Sequence, residues 1–166
     1  MPRDHPDAAR WRRSPEALAL FNPVLTSELI LTACYWRSQE DGGGIDWPAL
    51  FLILPISLHP ETRDAMPRDA RTTLAKWAVR HGPLVAELES RTGVMLDASR
   101  RGIRRGMRLG RLRLEGSTMY AQARPKPSAS GWPDELSASS KAAKMYGRWL
   151  AGVETHEALE LLGIGL

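Results

Sequence analysis

From Asn22 onward the apolar positions recur at helical spacing, in blocks separated by glycine and proline. Asn22 followed by Pro23 is a helix start, an N-cap with proline in the first turn. Leu25, Leu29, Ala33 and Trp36 then follow one stripe, with Ile30 and Cys34 beside it, up to the break at Asp41-Gly42-Gly43-Gly44. Asp46 and Pro48 open a second helix whose Leu50, Phe51, Leu52, Ile53, Leu54 and Ile56 are apolar on every side, the pattern of an element packed all round. Pro55 should bend or end it. Thr72 to Arg80 reads as a third helix with Leu74, Trp77 and Ala78 inward, stopped by Gly82. Pro83 opens a fourth through Arg91, with Leu84, Val85 and Leu88 apolar, stopped by Gly93.

Asp97 to Ala123 reads as a helix capped by Asp97 and ended by Gly110, then a hairpin. Leu112, Leu114 and Met119 to Ala123 alternate around Glu115-Gly116-Ser117-Thr118. Arg124 to Ser140, rich in Pro, Ser and Gly, predicts an exposed linker. A last long helix over Ser140 to Val153 buries Ala142, Tyr146, Trp149 and Leu150. Thr155 caps a final turn containing Ala158, Leu159, Leu161 and Leu162, ended by Gly163. Residues 1–20 predict a loose tail and a short helix from Ser14-Pro15-Glu16 to Leu20, because Met1 to Arg13 lacks an apolar period. The expected fold is mainly α with one β-hairpin. It is a single compact domain over residues 21–166 resembling a winged helix-turn-helix with extra N- and C-terminal helices, with the linker exposed at 124–140.

Charge changes this picture at one place. Arg100, Arg101, Arg104, Arg105, Arg108, Arg111 and Arg113, set against Asp97 and Glu115, give Asp97 to Ala123 a net +5, while the whole chain carries +4. The basic character is therefore local. On a helix, Arg100, Arg104, Arg108 and Arg111 form a stripe that Arg101 and Arg105 widen; Ala98, Ser99, Gly102, Ile103, Gly106, Met107 and Leu109 fall opposite. Gly102, Gly106 and Gly110 recur every fourth residue on that packing side, where glycine costs about 1 kcal/mol relative to Ala. A close neighbour must offset the loss. The seven arginines suit phosphates of DNA or RNA, since guanidinium forks bind them bidentately; an acidic protein partner and plain solvation remain open beside that reading.

Other chemistry finds little support. Ala49 to Leu58, interrupted by Pro55 and Ser57, falls short of the roughly 20 apolar residues of a membrane span. No signal peptide is evident in the charged, proline-containing start, so a cytoplasmic location is expected. Cys34 stands alone, which leaves no intrachain disulfide and no thiolate-rich zinc site. The triple glycine lacks the Lys-Ser/Thr of a phosphate loop, and no serine sits in a nucleophile elbow. His5, His59, His81 and His156 are scattered, and His156-Glu157 lacks the second histidine of a zinc-protease helix. His59, beside Glu61, reads as a helix cap. A hydrolase built from His59, Glu61 and Asp64 is the weakest reading. No enzyme activity, cofactor or metal is expected.

Four phrases in order carry a resemblance. They are Phe21-Asn22-Pro23; Leu50-Phe51-Leu52-Ile53-Leu54-Pro55 running into Leu58-His59 and Glu61-Thr62-Arg63; Gly102 to Leu114; and Tyr146-Gly147-Arg148-Trp149-Leu150 with Leu161-Leu162-Gly163. Over residues 21–166 the chain resembles the middle component of prokaryotic three-component ABC-ATPase systems. The resemblance implies a non-enzymatic adaptor in antiviral conflict with invading genetic elements, bridging an ABC ATPase and a third component, with a core similar to winged helices. The arginine-rich helix departs from that family pattern in being more basic. It adds either nucleic-acid contact or a docking face for an acidic partner. The alternative is a free-standing winged-helix DNA-binding transcriptional regulator, marked by a homodimer and a palindromic operator in place of a neighbouring ATPase gene.

Overall fold

The computed structural model describes residues 21–126 and 133–165. The tail and short helix expected over 1–20, and part of the expected linker, lie outside the described residues.

Helix α1 spans Pro23–Asp41 and begins and ends where its local signals place it. The Asn22 side chain accepts from the Val24 N–H at 2.9 Å, and Gly42, at φ +78°, closes the C-terminus with its N–H on the Ser38 carbonyl. Glycine alone among common residues takes that left-handed conformation without strain. The single apolar stripe understates this helix. Every residue from Thr26 to Cys34 is buried, polar Thr26, Ser27, Glu28 and Thr32 included. The all-round packing expected of residues 50–56 belongs to α1 as well.

Strand β1, Ile45–Asp46, leads into α2, Trp47–Leu50, and α3, Ile53–Leu58. These are two short helices where one was expected. Pro55 lies in the first turn of α3; a proline cannot donate to the carbonyl four residues back and its ring crowds that carbonyl, so a continuous helix fails at Phe51-Leu52. All of α3 is buried. His59 caps α4, Pro60–Asp64, and Thr73 caps α5, Leu74–Arg80, whose Leu74, Trp77 and Ala78 face inward as the pattern requires.

The expected fourth and fifth helices are partitioned differently. A short α6, Gly82–Ala86, precedes α7, which runs without interruption from Leu88 to Arg108. Gly93 does not stop it and Asp97 does not cap it. Leu88, Met95, Ala98, Ser99, Gly102, Ile103 and Gly106 form one buried stripe down α7, and that shared burial outweighs the weak helix propensity of a single exposed glycine.

Strands β2, Leu112–Glu115, and β3, Thr118–Ala121, pair antiparallel across Gly116-Ser117. Gly116, at φ +59°, occupies the first central position, the glycine site of a type II′ turn. The single hairpin expected from the sequence gains a third strand, because β1 pairs with β3 to give the sheet order β1-β3-β2. Two residues are too few for alternation to register, and only the pairing reveals them. Gly44 permits it: a Cβ there would lie 2.5 Å from the Met119 carbonyl oxygen.

Helix α8 is Asp134–Trp149, so residues 134–140 are helix and not linker. Asp134 and Glu135 complement the dipole of its first turn, and the buried Ser139 hydroxyl donates back to the Glu135 carbonyl at 2.8 Å. A 3-10 turn, Leu150–Gly152, leads to α9, Thr155–Leu161. Glu154, not Thr155, holds the cap position, since the Thr155 hydroxyl donates to the Asp46 carboxylate at 2.6 Å. One continuous core joins α1, α3, α5, α7, α8 and the sheet, with Trp77 and Tyr146 its largest fully buried side chains and Trp149 packed with them. No helix among the described residues is long and apolar enough to cross a membrane.

Candidate functional site

The seven arginines singled out by the sequence divide into three settings. Arg100, Arg101, Arg104 and Arg108 are exposed on the outer face of α7, and Arg105 is half-buried on its flank. Arg100 meets Asp97 at 3.5 Å. Among the described residues, Arg101, Arg104, Arg105 and Arg108 have no carboxylate within ion-pair distance. Arg104 and Arg108 stand one turn apart, about 6 Å along the axis.

Arg111 does not continue the stripe. It follows the end of α7 and turns inward, donating to Glu28 Oε2 at 2.6 Å, to Glu28 Oε1 at 3.4 Å and to the Arg124 carbonyl at 3.2 Å. Glu28 also accepts the Lys126 N–H at 2.5 Å. The reason is burial: a carboxylate in the packed middle of α1 requires a cation and donors, and Arg111 is where the chain emerges beside it. Arg113 lies on β2, paired with Glu115 and 6.0 Å from the Tyr120 ring centroid. Glu28, the one charged residue between Asn22 and Arg37, was the available signal for the pair; nothing local indicated its partner.

The back of α7 is seated as the glycine spacing required, at two of the three positions. A Cβ on Gly102 would lie 2.6 Å from Thr26 Oγ1 and 3.0 Å from the Ser27 nitrogen, and one on Gly106 would lie 2.4 Å from Leu112 Cδ1. Gly110 instead ends the helix region at φ +66° with open space around it. Met107 and Leu109, expected on the packing side, are exposed, at 41% and 55%. Met107 lies roughly 140° around the helix from Gly102 at 100° per residue, outside the buried arc, and Leu109 lies past the last helical turn.

His59 acts as the cap that its position suggested. Its Nδ1 accepts the Thr62 N–H at 3.3 Å and faces the Thr62 hydroxyl at 2.9 Å, while Arg91 Nη1 donates to that hydroxyl at 2.7 Å. Arg91 therefore turns the hydroxyl proton toward Nδ1, which fixes the neutral ring with its proton on Nε2. Glu61 and Asp64 are exposed, and Asp64 faces Arg63 at 3.6 Å. Among the described residues no group of three potential metal ligands converges.

Burial, and after it the Arg91 charge, hold the His59 pKa below its ordinary value of 6.5. The unfolded chain therefore binds this proton at a higher pH than the folded one, so the capping contribution is complete above about pH 6.5 and is lost as pH falls through the lower folded value. The melting temperature should drop between about pH 7 and pH 5, and drop less in His59→Asn, whose amide oxygen can cap without titrating. Equal slopes in parent and variant would refute this role.

The family model described as ABC-three component (ABC-3C) system Middle Component 3 matches residues 11–166. No curated protein and no solved structure matches the chain.

Proposed function

The chain belongs to the ABC-three component system Middle Component 3 family, and on that premise we propose that it is a non-enzymatic adaptor. It joins the ABC ATPase to the third component in a cytoplasmic system directed against invading genetic elements, and its α7 arginine face contacts nucleic-acid phosphates. One observation carries the contact: Arg101, Arg104, Arg105 and Arg108 lack carboxylate partners among the described residues, while glycines on the opposite face seat the helix tightly. Guanidiniums that the described residues leave unpaired suit anions. The element order also supports a winged-helix core, since α1, β1, short helices, long α7 and a hairpin follow in turn and β1 pairs on β3.

Fluorescence anisotropy of labelled duplex across a salt series tests the contact. Log affinity should fall with log salt by about 0.9 per phosphate neutralised, and Arg104→Glu with Arg108→Glu should flatten that slope by about 2. Unchanged affinity and slope would reject the face as the contact. Copurification with both other components tests the adaptor role, and failure to retain either one would reject it.

A second reading has its own support. Exposed Met107 and Leu109 stand beside the arginines at the end of α7, and apolar groups interleaved with cations suit an acidic protein surface. The same double variant would then lose a protein component while duplex binding stayed absent throughout. A homodimer bound to a palindromic operator, with no ATPase retained, would instead mark a free-standing regulator.

A further inference from the structure

A second basic surface lies away from the α7 arginines. A groove of about 580 Å3 runs between the C-terminal half of α1, the chain leaving β3 and the exposed side of α8. Tyr35 and Trp36 line it, edge to face with ring centroids 5.6 Å apart, together with Arg124, Lys126, Lys141 and Lys144. The chain has four lysines in all, and three of them line this one groove. Among the described residues no carboxylate lines it, and none of its four cations has a carboxylate within ion-pair distance.

Two of these cations lie on the rings. Lys144 Nζ sits 3.6 Å from the Trp36 ring centroid, and Arg124 lies 5.9 Å from the Tyr35 centroid while its Nε donates to the Tyr35 hydroxyl at 3.1 Å. An indole face covered by a flexible ammonium can be uncovered by moving one lysine. The Glu28 carboxylate fixes the Lys126 backbone from beneath, at 2.5 Å from its nitrogen, which positions the lysine at the groove without neutralising it. Four like charges around one hollow repel one another, and an anion entering it relieves that repulsion.

From this geometry we infer that the groove binds single-stranded nucleic acid, with a base stacked on Trp36 and the flanking phosphates held by Lys126, Lys141 and Lys144. Aromatic faces bordered by cations are the physical requirement of such sites: every base has a π-face, and the backbone supplies one charge per residue. The hollow has the size of small-ligand sites, roughly 300–1,000 Å3. The charge is spread, however, beyond the reach of one nucleotide. Lys141 and Lys144 also line an adjoining groove with Arg63, Arg68 and Arg148, where the one acid among the described residues, Asp69, is paired with Arg71, so a strand crossing α8 meets further cations. The binding step moves Lys144 off the ring and onto a phosphate; no covalent chemistry is involved.

Anisotropy of a labelled oligothymidylate of about 12 nucleotides, titrated with the full chain, tests the inference. Lys141→Glu with Lys144→Glu should weaken binding at least tenfold and flatten the salt slope by about 1.4, at roughly 0.7 per phosphate on single strands. Trp36→Leu should weaken binding about tenfold with the slope unchanged, because stacking releases no counterion. A photo-crosslink from a thiothymidine oligonucleotide to Tyr35 or Trp36 is read in parallel, so an unstable Trp36 variant leaves the test decisive. Arg104→Glu with Arg108→Glu should leave oligothymidylate binding intact, which separates this surface from the α7 contact with duplex. Equal binding by parent and lysine variant would overturn the inference. Full displacement by equimolar ATP would mark a free-nucleotide site, and binding of polyglutamate in place of the oligonucleotide a protein-docking site; either would overturn it.

Discussion

Replacing Gly147 by Ala is expected to destabilise the chain by about 3 kcal/mol, the upper end of the range for overpacking a well-filled core. Gly147 is the point at which α8 crosses α1. An added Cβ would lie 2.1 Å from the Ala33 carbonyl oxygen and 2.8 Å from its carbon. Both are backbone atoms in the fully buried Thr26–Cys34 stretch of α1, so no side-chain rotation relieves the clash; the two helices must separate. Tyr146, beside it, donates to the Ala49 carbonyl at 3.0 Å from a buried position and would be pulled off that partner. For a chain of this size the melting temperature should fall by roughly 6–12 °C, at about 2–4 °C per kcal/mol. Gly106→Ala is the comparison, because its Cβ meets side-chain atoms first, Leu112 Cδ1 and Cγ and Ser27 Oγ, and not backbone; it should cost less than Gly147→Ala, about 1–2 kcal/mol. Equal denaturation midpoints for parent and Gly147→Ala would mean that α8 does not cross α1 at that separation.

Removing the Glu28 carboxylate should have the second-largest effect. Glu28→Ala leaves the Lys126 N–H without its acceptor and the Arg111 guanidinium with only the Arg124 carbonyl, at the partly buried edge of the core. Losing one member of a buried pair costs about 3–5 kcal/mol when the other is fully enclosed. Here the Arg111 side chain keeps 25% of its surface exposed, and solvent recovers part of the loss, so about 2 kcal/mol is expected. Chemical denaturation of Glu28→Ala, Arg111→Ala and the double variant closes the cycle. The double variant should be less destabilised than the sum of the single ones. Strict additivity would show that the pair contributes nothing, and Arg111 would return to the candidate contacts of the arginine face.

The helix boundaries show how far residue order reaches. Asn22-Pro23, Gly42 and Gly116 act through backbone groups within four residues of themselves, so their roles are legible without the fold. His59 is legible for the same reason, since the N–H it caps belongs to Thr62. Where a distant neighbour decides, the pattern misleads. Gly93 resembles a stop, yet the stripe from Leu88 to Gly106 is covered by α1 and carries α7 through it. Arg111 has the same local credentials as Arg108; its partner Glu28 lies 83 residues earlier. The lysines of the α8 groove are dispersed over Lys126, Lys141 and Lys144, in a stretch that composition marks as linker or burying helix, and only the turn of the chain brings them to Trp36.

Sequence alone therefore determined the mainly helical character, the hairpin, the helix ends at Asn22, Gly42 and His59, the concentration of arginine before the hairpin and the resemblance to a middle component, since each is written in neighbouring residues or in their order. Tertiary structure decided which helix lies at the centre, that β1 joins the sheet, which arginines face outward and which one is consumed by Glu28. These depend on surfaces meeting across the chain, and burial converts an identical side chain from a free cation into half of an internal pair according to what it meets there.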